Sequence, residues 1–151
     1  MKEHFLKLFE YNNWANNKIL EIILKENDFP QIALKYFSHL LIAEKTWMVR
    51  IKSKEVPSND FWPEISKNEF RELINKNINE YLELINNSND KLFDEKIKYK
   101  TSKGIEFDST LKDILTHISM HSMYHRGQVN TALRNSGLEP VNIDFITYTR
   151  I

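Results

Sequence analysis

Apolar residues recur three and four positions apart in four long stretches of the chain, the period of a helix with one buried face. Phe5, Leu8, Phe9, Ala15, Ile19, Ile22 and Ile23 predict a first helix from Lys2 to Lys25. Ile32, Tyr36, Leu40, Ala43, Trp47 and Ile51 share one face of a second, which reaches about Lys54 with Asp28 as its cap and Pro30 in its first turn. A third opens on Ser66-Lys67-Asn68-Glu69, the spacing of a capping box. It buries Phe70, Leu73, Ile74, Asn77 or Ile78, Tyr81 and Ile85 and ends within residues 86–90. The fourth carries Leu111, Ile114, Leu115, Ile118, Val129, Ala132 and Leu133. One of Asp108, Ser109 and Thr110 caps it, and Gly137 suits the left-handed position past its end.

Four amphipathic helices predict an all-α four-helix bundle. Before the last helix, residues 96–100 alternate charged and apolar side chains, residues 102–104 can turn, and Ile105-Glu106-Phe107 returns, which predicts a short β-hairpin packed on the helices. Residues 56–63, with two prolines and Trp62, read as a loop. Phe145, Ile146 and Tyr148 give the tail enough apolar surface to fold back onto the bundle. One run departs from the helical pattern. Residues 11–16 read Tyr-Asn-Asn-Trp-Ala-Asn in the middle of the first helix, where asparagine is a poor helix former. Either they form a solvated face beside core aromatics, or an asparagine lines a polar pocket inside the bundle.

At 151 residues the chain fits a single domain over positions 1–151. Basic and acidic residues number 21 each, so no net charge steers the protein toward a nucleic acid. With no cysteine, any transition metal must be held by imidazole, carboxylate or water. The N-terminal residues have no long apolar run, so neither a secretory signal nor a membrane span is expected, and the protein reads as cytoplasmic.

Three of the five histidines, His117, His121 and His125, stand four apart on the fourth helix. Two imidazoles at that spacing can grip one ion, but the outer two lie roughly 12 Å apart along the axis, so one adjacent pair must be chosen. The apolar arc of the helix passes through His125 and close to His121, leaving His117 at the rim. A tetrahedral site with an open position needs a third ligand. His39 borders the core face of the second helix beside Tyr36 and Ala43, whereas His4 lies in the opening turn of the first. Three imidazoles would leave one position for water or substrate; the other reading of the histidine row is core-edge packing or surface hydrogen bonding. No Glu-x-x-His pair is present, against a di-iron carboxylate bundle, and no His-Glu-x-x-His, against the common zinc peptidase helix. Arg126 is a candidate catalytic residue that holds an anionic substrate, or else it pairs with a carboxylate such as Glu44. Glu44 in turn accepts a proton from a ligand imidazole or forms an ordinary salt bridge. Gly127 inside the helix calls for the close approach of another helix.

The run of residues 11–16, His39-Leu-Leu-Ile-Ala43-Glu44-Lys-Thr-Trp47, His117-Ile-Ser-Met-His121-Ser-Met-Tyr-His125-Arg126-Gly127-Gln128 and the ending Asp144-Phe-Ile-Thr-Tyr148-Thr-Arg150 together resemble the DinB family over nearly the whole chain. The resemblance implies a bundle running up-down-down-up with a long crossover. It also implies a divalent metal, zinc or nickel, on three histidines that map onto His39, His121 and His125. Characterised relatives include metal-dependent transferases that use a low-molecular-weight thiol such as bacillithiol or mycothiol. The expectation is therefore a thiol S-transferase or hydrolase acting on a small electrophile. Its alternative is a non-catalytic metal-binding stress-response bundle acting as a homodimer.

Overall fold

The computed structural model describes residues 1–54, 56 and 60–151. In chain order it contains α1 (Lys2–Lys25), α2 (Gln31–Ile51), α3 (Phe70–Asn87), a short α4 (Asp90–Asp94), β1 (Lys96–Lys100), β2 (Glu106–Thr110), α5 (Leu111–Asn135) and a single turn, α6 (Phe145–Tyr148). Two apolar clusters, one at each end, fix the direction of the four long helices. Phe5 and Phe9 of α1, Met48 of α2, Tyr81 and Ile85 of α3, and Leu111, Ile114, Leu115 and Ile118 of α5 form one cluster. The other holds Ile19, Leu20 and Ile23 of α1, Ala33 and Phe37 of α2, Phe70 and Ile74 of α3, and Val129 and Leu133 of α5. Thus α1 and α5 enter the first cluster by their early residues and the second by their late ones, while α2 and α3 do the reverse. The order is up-down-down-up, and the parallel pair α2 and α3 requires the long return over residues 52–69. Of the loop expected at residues 56–63, positions 57–59 lie outside the described residues.

A buried polar layer separates the two clusters. Asn12, Asn16, Glu44, Asn77, Ser122 and Arg126 are each at most 6% exposed. The Glu44 carboxylate accepts from Ser122 Oγ (2.8 Å), Asn77 Nδ2 (3.2 Å) and Asn16 Nδ2 (3.3 Å). Arg126 Nη2 donates to Asn12 Oδ1 at 2.8 Å and Nη1 to Asn16 Oδ1 at 3.0 Å. Asn16 therefore bridges the guanidinium and the carboxylate. The asparagines of α1 follow the second reading: low helix propensity is tolerated at Asn12 and Asn16 because a buried charge must be met by donors and acceptors. Glu44 is drawn two ways. Burial raises its pKa, and Ser122, Arg126, Asn77 and Asn16 pull it back.

Several helix ends differ from the sequence expectation. Pro30, not Asp28, is the N-cap of α2, and that helix stops at Ile51. The expected capping box forms as Ser66 Oγ to Glu69 Oε2 at 2.6 Å, but regular helix begins one turn later, at Phe70. Helix α4 was not expected; the Asn89 side chain caps it by accepting from Leu92 N at 3.0 Å. Thr110 is the cap chosen for α5, accepting from Asp113 N at 3.2 Å. At its other end Gly137 has φ of 77°, Leu138 N bonds Leu133 O at 3.0 Å and Gly137 N bonds Arg134 O at 3.1 Å. That is the Schellman closure a left-handed glycine permits.

Gly127 corrects another expectation. A Cβ placed there meets nothing within 4 Å among the described residues, so none of the described helices makes the close approach. Gly127→Ala is therefore expected to raise stability by about 1 kcal/mol, read as a higher urea midpoint at unchanged slope. A lower midpoint would show that the position is used by something outside the chain.

The hairpin is antiparallel with Tyr99 opposite Phe107. Ile97 joins the first apolar cluster and Tyr99 meets Trp47 edge-on at 5.0 Å. The tail returns as expected: Tyr11 Oη donates to Ile143 O at 2.7 Å, and the Phe145 and Tyr148 rings lie 5.1 and 5.8 Å from Tyr11. Among the described residues no helix is long and apolar enough to cross a membrane.

Candidate metal centre

Helix α5 presents two adjacent stripes to two environments. Ser122 and Arg126 point into the polar layer, and the residues just before them, His121 and His125, point toward α2. There they meet His39. One nitrogen from each of His39, His121 and His125 lies within 4.8 Å of the others, a set able to hold a metal ion. The ring centroids are 4.4 Å apart for His121 and His125, 4.5 Å for His39 and His125, and 5.2 Å for His39 and His121. Among the described residues no further imidazole or carboxylate joins this group.

Hydrogen bonds behind the rings decide which nitrogen each presents. His39 Nδ1 sits 2.5 Å from Phe61 O, and a carbonyl can only accept, so the proton is on Nδ1 and the lone pair on Nε2. His125 Nδ1 lies 2.6 Å from Gln128 Oε1, which leaves its Nε2 lone pair facing His121 Nε2 at 3.1 Å. Two lone pairs at that distance repel unless a proton or a cation lies between them. The donor set thus fits a borderline divalent ion: three imidazoles, the outer nitrogens of His39 and His125 engaged by acceptors, and no fourth protein ligand among the described residues. The Trp62 ring stacks on His39 at 3.7 Å with only 7° between the planes, which restricts the imidazole's rotation. Trp62 reads from sequence only as part of a loop, and no spacing signals its contact with His39, which is made by the chain's return. Gln128 lies three residues after His125 on α5, a helical spacing at which the two side chains meet.

Electrostatics favours neutral rings. Burial first, then the neighbouring His125, His39 and His117, push His121 down from 6.5 to about 3. Burial also lowers His39 and His125. A base whose pKa is depressed by folding stabilises the fold above its unfolded pKa. That stability is lost as pH falls toward the folded value, because only the unfolded chain takes the proton. The metal-free protein should therefore lose thermal stability from pH 6.5 downward toward 3, and His121→Ala should flatten the slope. A melting temperature that rises over that range would contradict the neutral-ring arrangement.

The remaining sequence candidates lie elsewhere. His117 is exposed at the rim, its ring edge-on to Trp47 at 5.2 Å and 5.6 Å from His121. His4 is exposed in the first turn of α1. Arg126 is 0% exposed, and its guanidinium is bonded to Asn12 and Asn16. Glu44 bonds no imidazole; its partners are two asparagines and a serine.

Fold and site together define a class: a four-helix bundle with a three-histidine cluster between its second and last long helices. The DinB family model matches residues 1–151, and the chain belongs to the DinB family. It is 27% identical over 154 residues to the uncharacterized protein YizA of Bacillus subtilis (strain 168), covering 95% of each chain. It is 25% identical over 165 residues to Protein DinB of the same organism, covering 98% of this chain and 95% of the relative.

Proposed function

We propose that the chain is a metal-dependent enzyme with a divalent ion, zinc or nickel, on His39, His121 and His125, acting on a small electrophile by thiol transfer or hydrolysis. The observation that carries this is the convergence of three imidazoles with no fourth protein ligand among the described residues. An ion bound there supplies Lewis acidity, which lowers the pKa of a coordinated thiol or water or polarises a substrate oxygen. The chain's own residues do the rest. Phe61 O and Gln128 hold the outer nitrogens of His39 and His125, and Trp62 fixes the His39 plane. Tyr36 and Tyr124 stand beside the cluster, their rings 6.3 and 5.1 Å from His125. Arg126 acts from within, as a scaffold for α1 and α5, and does not reach substrate.

The test is metal content by elemental mass spectrometry on untagged protein after reconstitution with zinc, nickel or iron, followed by screening of thiol transfer and ester hydrolysis. About one ion per chain is expected for a single three-ligand site. No metal after reconstitution makes the cluster a packing feature and removes the catalytic reading.

The second reading, a non-catalytic bundle acting as a homodimer, draws on the apolar surface of α5. Met120 and Tyr124 are 67% and 64% exposed one turn apart. Sedimentation equilibrium separates the two: a dimer that dissociates in Met120→Lys, with metal bound but no turnover, would favour it.

A further inference from the structure

The end of α2 and the hairpin border an open cavity of about 810 Å³ whose walls include Arg50, Lys54, Lys98, Tyr99 and Phe107. We infer that this cavity binds a small organic carboxylate with an apolar body, the carboxylate on Arg50 and the apolar part against Tyr99 and Phe107. The inference names the substrate class for the proposed enzyme and rests on that reading.

Arg50 is the centre of the argument. Its guanidinium lies 4.8 Å from the Trp47 ring centroid, 5.8 Å from Tyr99 and 6.0 Å from Phe61. Its Nε is buried without a hydrogen-bond partner, and no carboxylate pairs with it among the described residues. A half-buried cation surrounded by aromatic rings and lacking an anion is a costly arrangement in a resting fold and a useful one where an anion arrives. The acids of the cavity do not answer it. Asp108 pairs with Lys96 at 3.1 Å and Glu106 with Lys100 at 3.4 Å, whereas Lys54 and Lys98 have no ion pair among the described residues. The uncompensated charge at the cavity is therefore positive.

The apolar part follows from the hairpin. Phe107 is 52% exposed although it shares a face with Tyr99, the residue that turns toward the bundle; the two rings lie 6.4 Å apart. An exposed aromatic beside an unpaired guanidinium suits a ligand that is apolar at one end and anionic at the other. The cavity adjoins the histidines through Arg50's own neighbours. Phe61 O holds His39, and Trp47 touches His117, which neighbours His121. Phe61 and Trp47, which flank Arg50, thus link the cavity to the histidines, and the proximity of a bound ligand to the ion is what the cobalt experiment reads.

The test is a titration of nitrogen-labelled, metal-free protein with phenylacetate, its uncharged amide phenylacetamide, and phenyl phosphate, followed by amide resonances. Phenylacetate should shift Arg50, Tyr99 and Phe107, and the amide should bind at least about tenfold more weakly. Arg50→Met should weaken phenylacetate about tenfold. Lys98→Met, on an exposed strand position, should weaken it about threefold even if Arg50→Met folds poorly. Equal affinity for acid and amide, unchanged affinity in both variants, or tighter binding of phenyl phosphate would overturn the assignment. In cobalt-loaded protein the proton resonances of bound phenylacetate should broaden. Binding without broadening would separate the cavity from the metal and end its role as substrate subsite. Failure to take up cobalt would instead overturn the metal reading and leave the titration of the metal-free protein interpretable.

Discussion

His125→Ala is expected to remove bound metal almost completely, while His117→Ala keeps it. His125 is 6% exposed and its Nε2 lies 3.1 Å from that of His121, so truncation takes away the ring that both other imidazoles face. Loss of an outer-shell partner alone costs about 10–100-fold in affinity. Loss of a ligand should therefore exceed about 100-fold, and bound metal should fall away on dialysis. His117 sits one turn before His121 on α5, and its ring engages Trp47 at the rim. Elemental analysis of the two variants decides the point. Equal loss in both would mean that the ion uses a different pair of histidines.

Arg126→Met is expected to destabilise the fold by about 3–5 kcal/mol, because it leaves Glu44 as a buried charge without its cation. The guanidinium is 0% exposed, and its two bonds to Asn12 and Asn16 tie α5 to α1. Small domains hold only about 5–15 kcal/mol in total, so the variant should unfold at much lower urea. Adding Glu44→Gln should recover part of the loss, since the uncompensated charge is then absent. A loss below about 1 kcal/mol in the single variant would show that Arg126 is not a structural member of the layer. Arg126 would then again be available for a role at the substrate.

The long helices were legible because one apolar face at a fixed period is a local signal, as at Ile114, Leu115 and Ile118; their ends were legible only in part, since Thr110 caps α5 but Pro30, not Asp28, caps α2. The grouping of His121 and His125 was legible for the same reason, an arc on one helix. His39 could be named only as a border residue, and its meeting with α5 depends on how two helices pack. The polar layer was less visible. Asn12, Asn16, Asn77 and Ser122 look like surface residues one at a time; Glu44 gathers Asn16, Asn77 and Ser122, and Arg126 gathers Asn12 and Asn16. Short elements such as α4 escape because five residues hold too little period to read. Arg50 and Phe107 belong to segments far apart in sequence, and their cavity exists only once the hairpin has docked.

The polar layer also works as a ruler. Ser122 and Arg126 each follow a histidine of the cluster directly, and Glu44 stands five residues after His39 on α2. Sliding α5 by one turn in one sense would put Ile118 in the place of Ser122 beside Glu44 and carry Arg126 toward Val129 and Leu133; in the other sense it would pull Arg126 away from Asn12 and Asn16. The slide is thus forbidden from inside the bundle. Ligand spacing on one side of these helices is measured out by bonds on the other, so His39 meets His121 and His125 at a fixed height before any ion arrives.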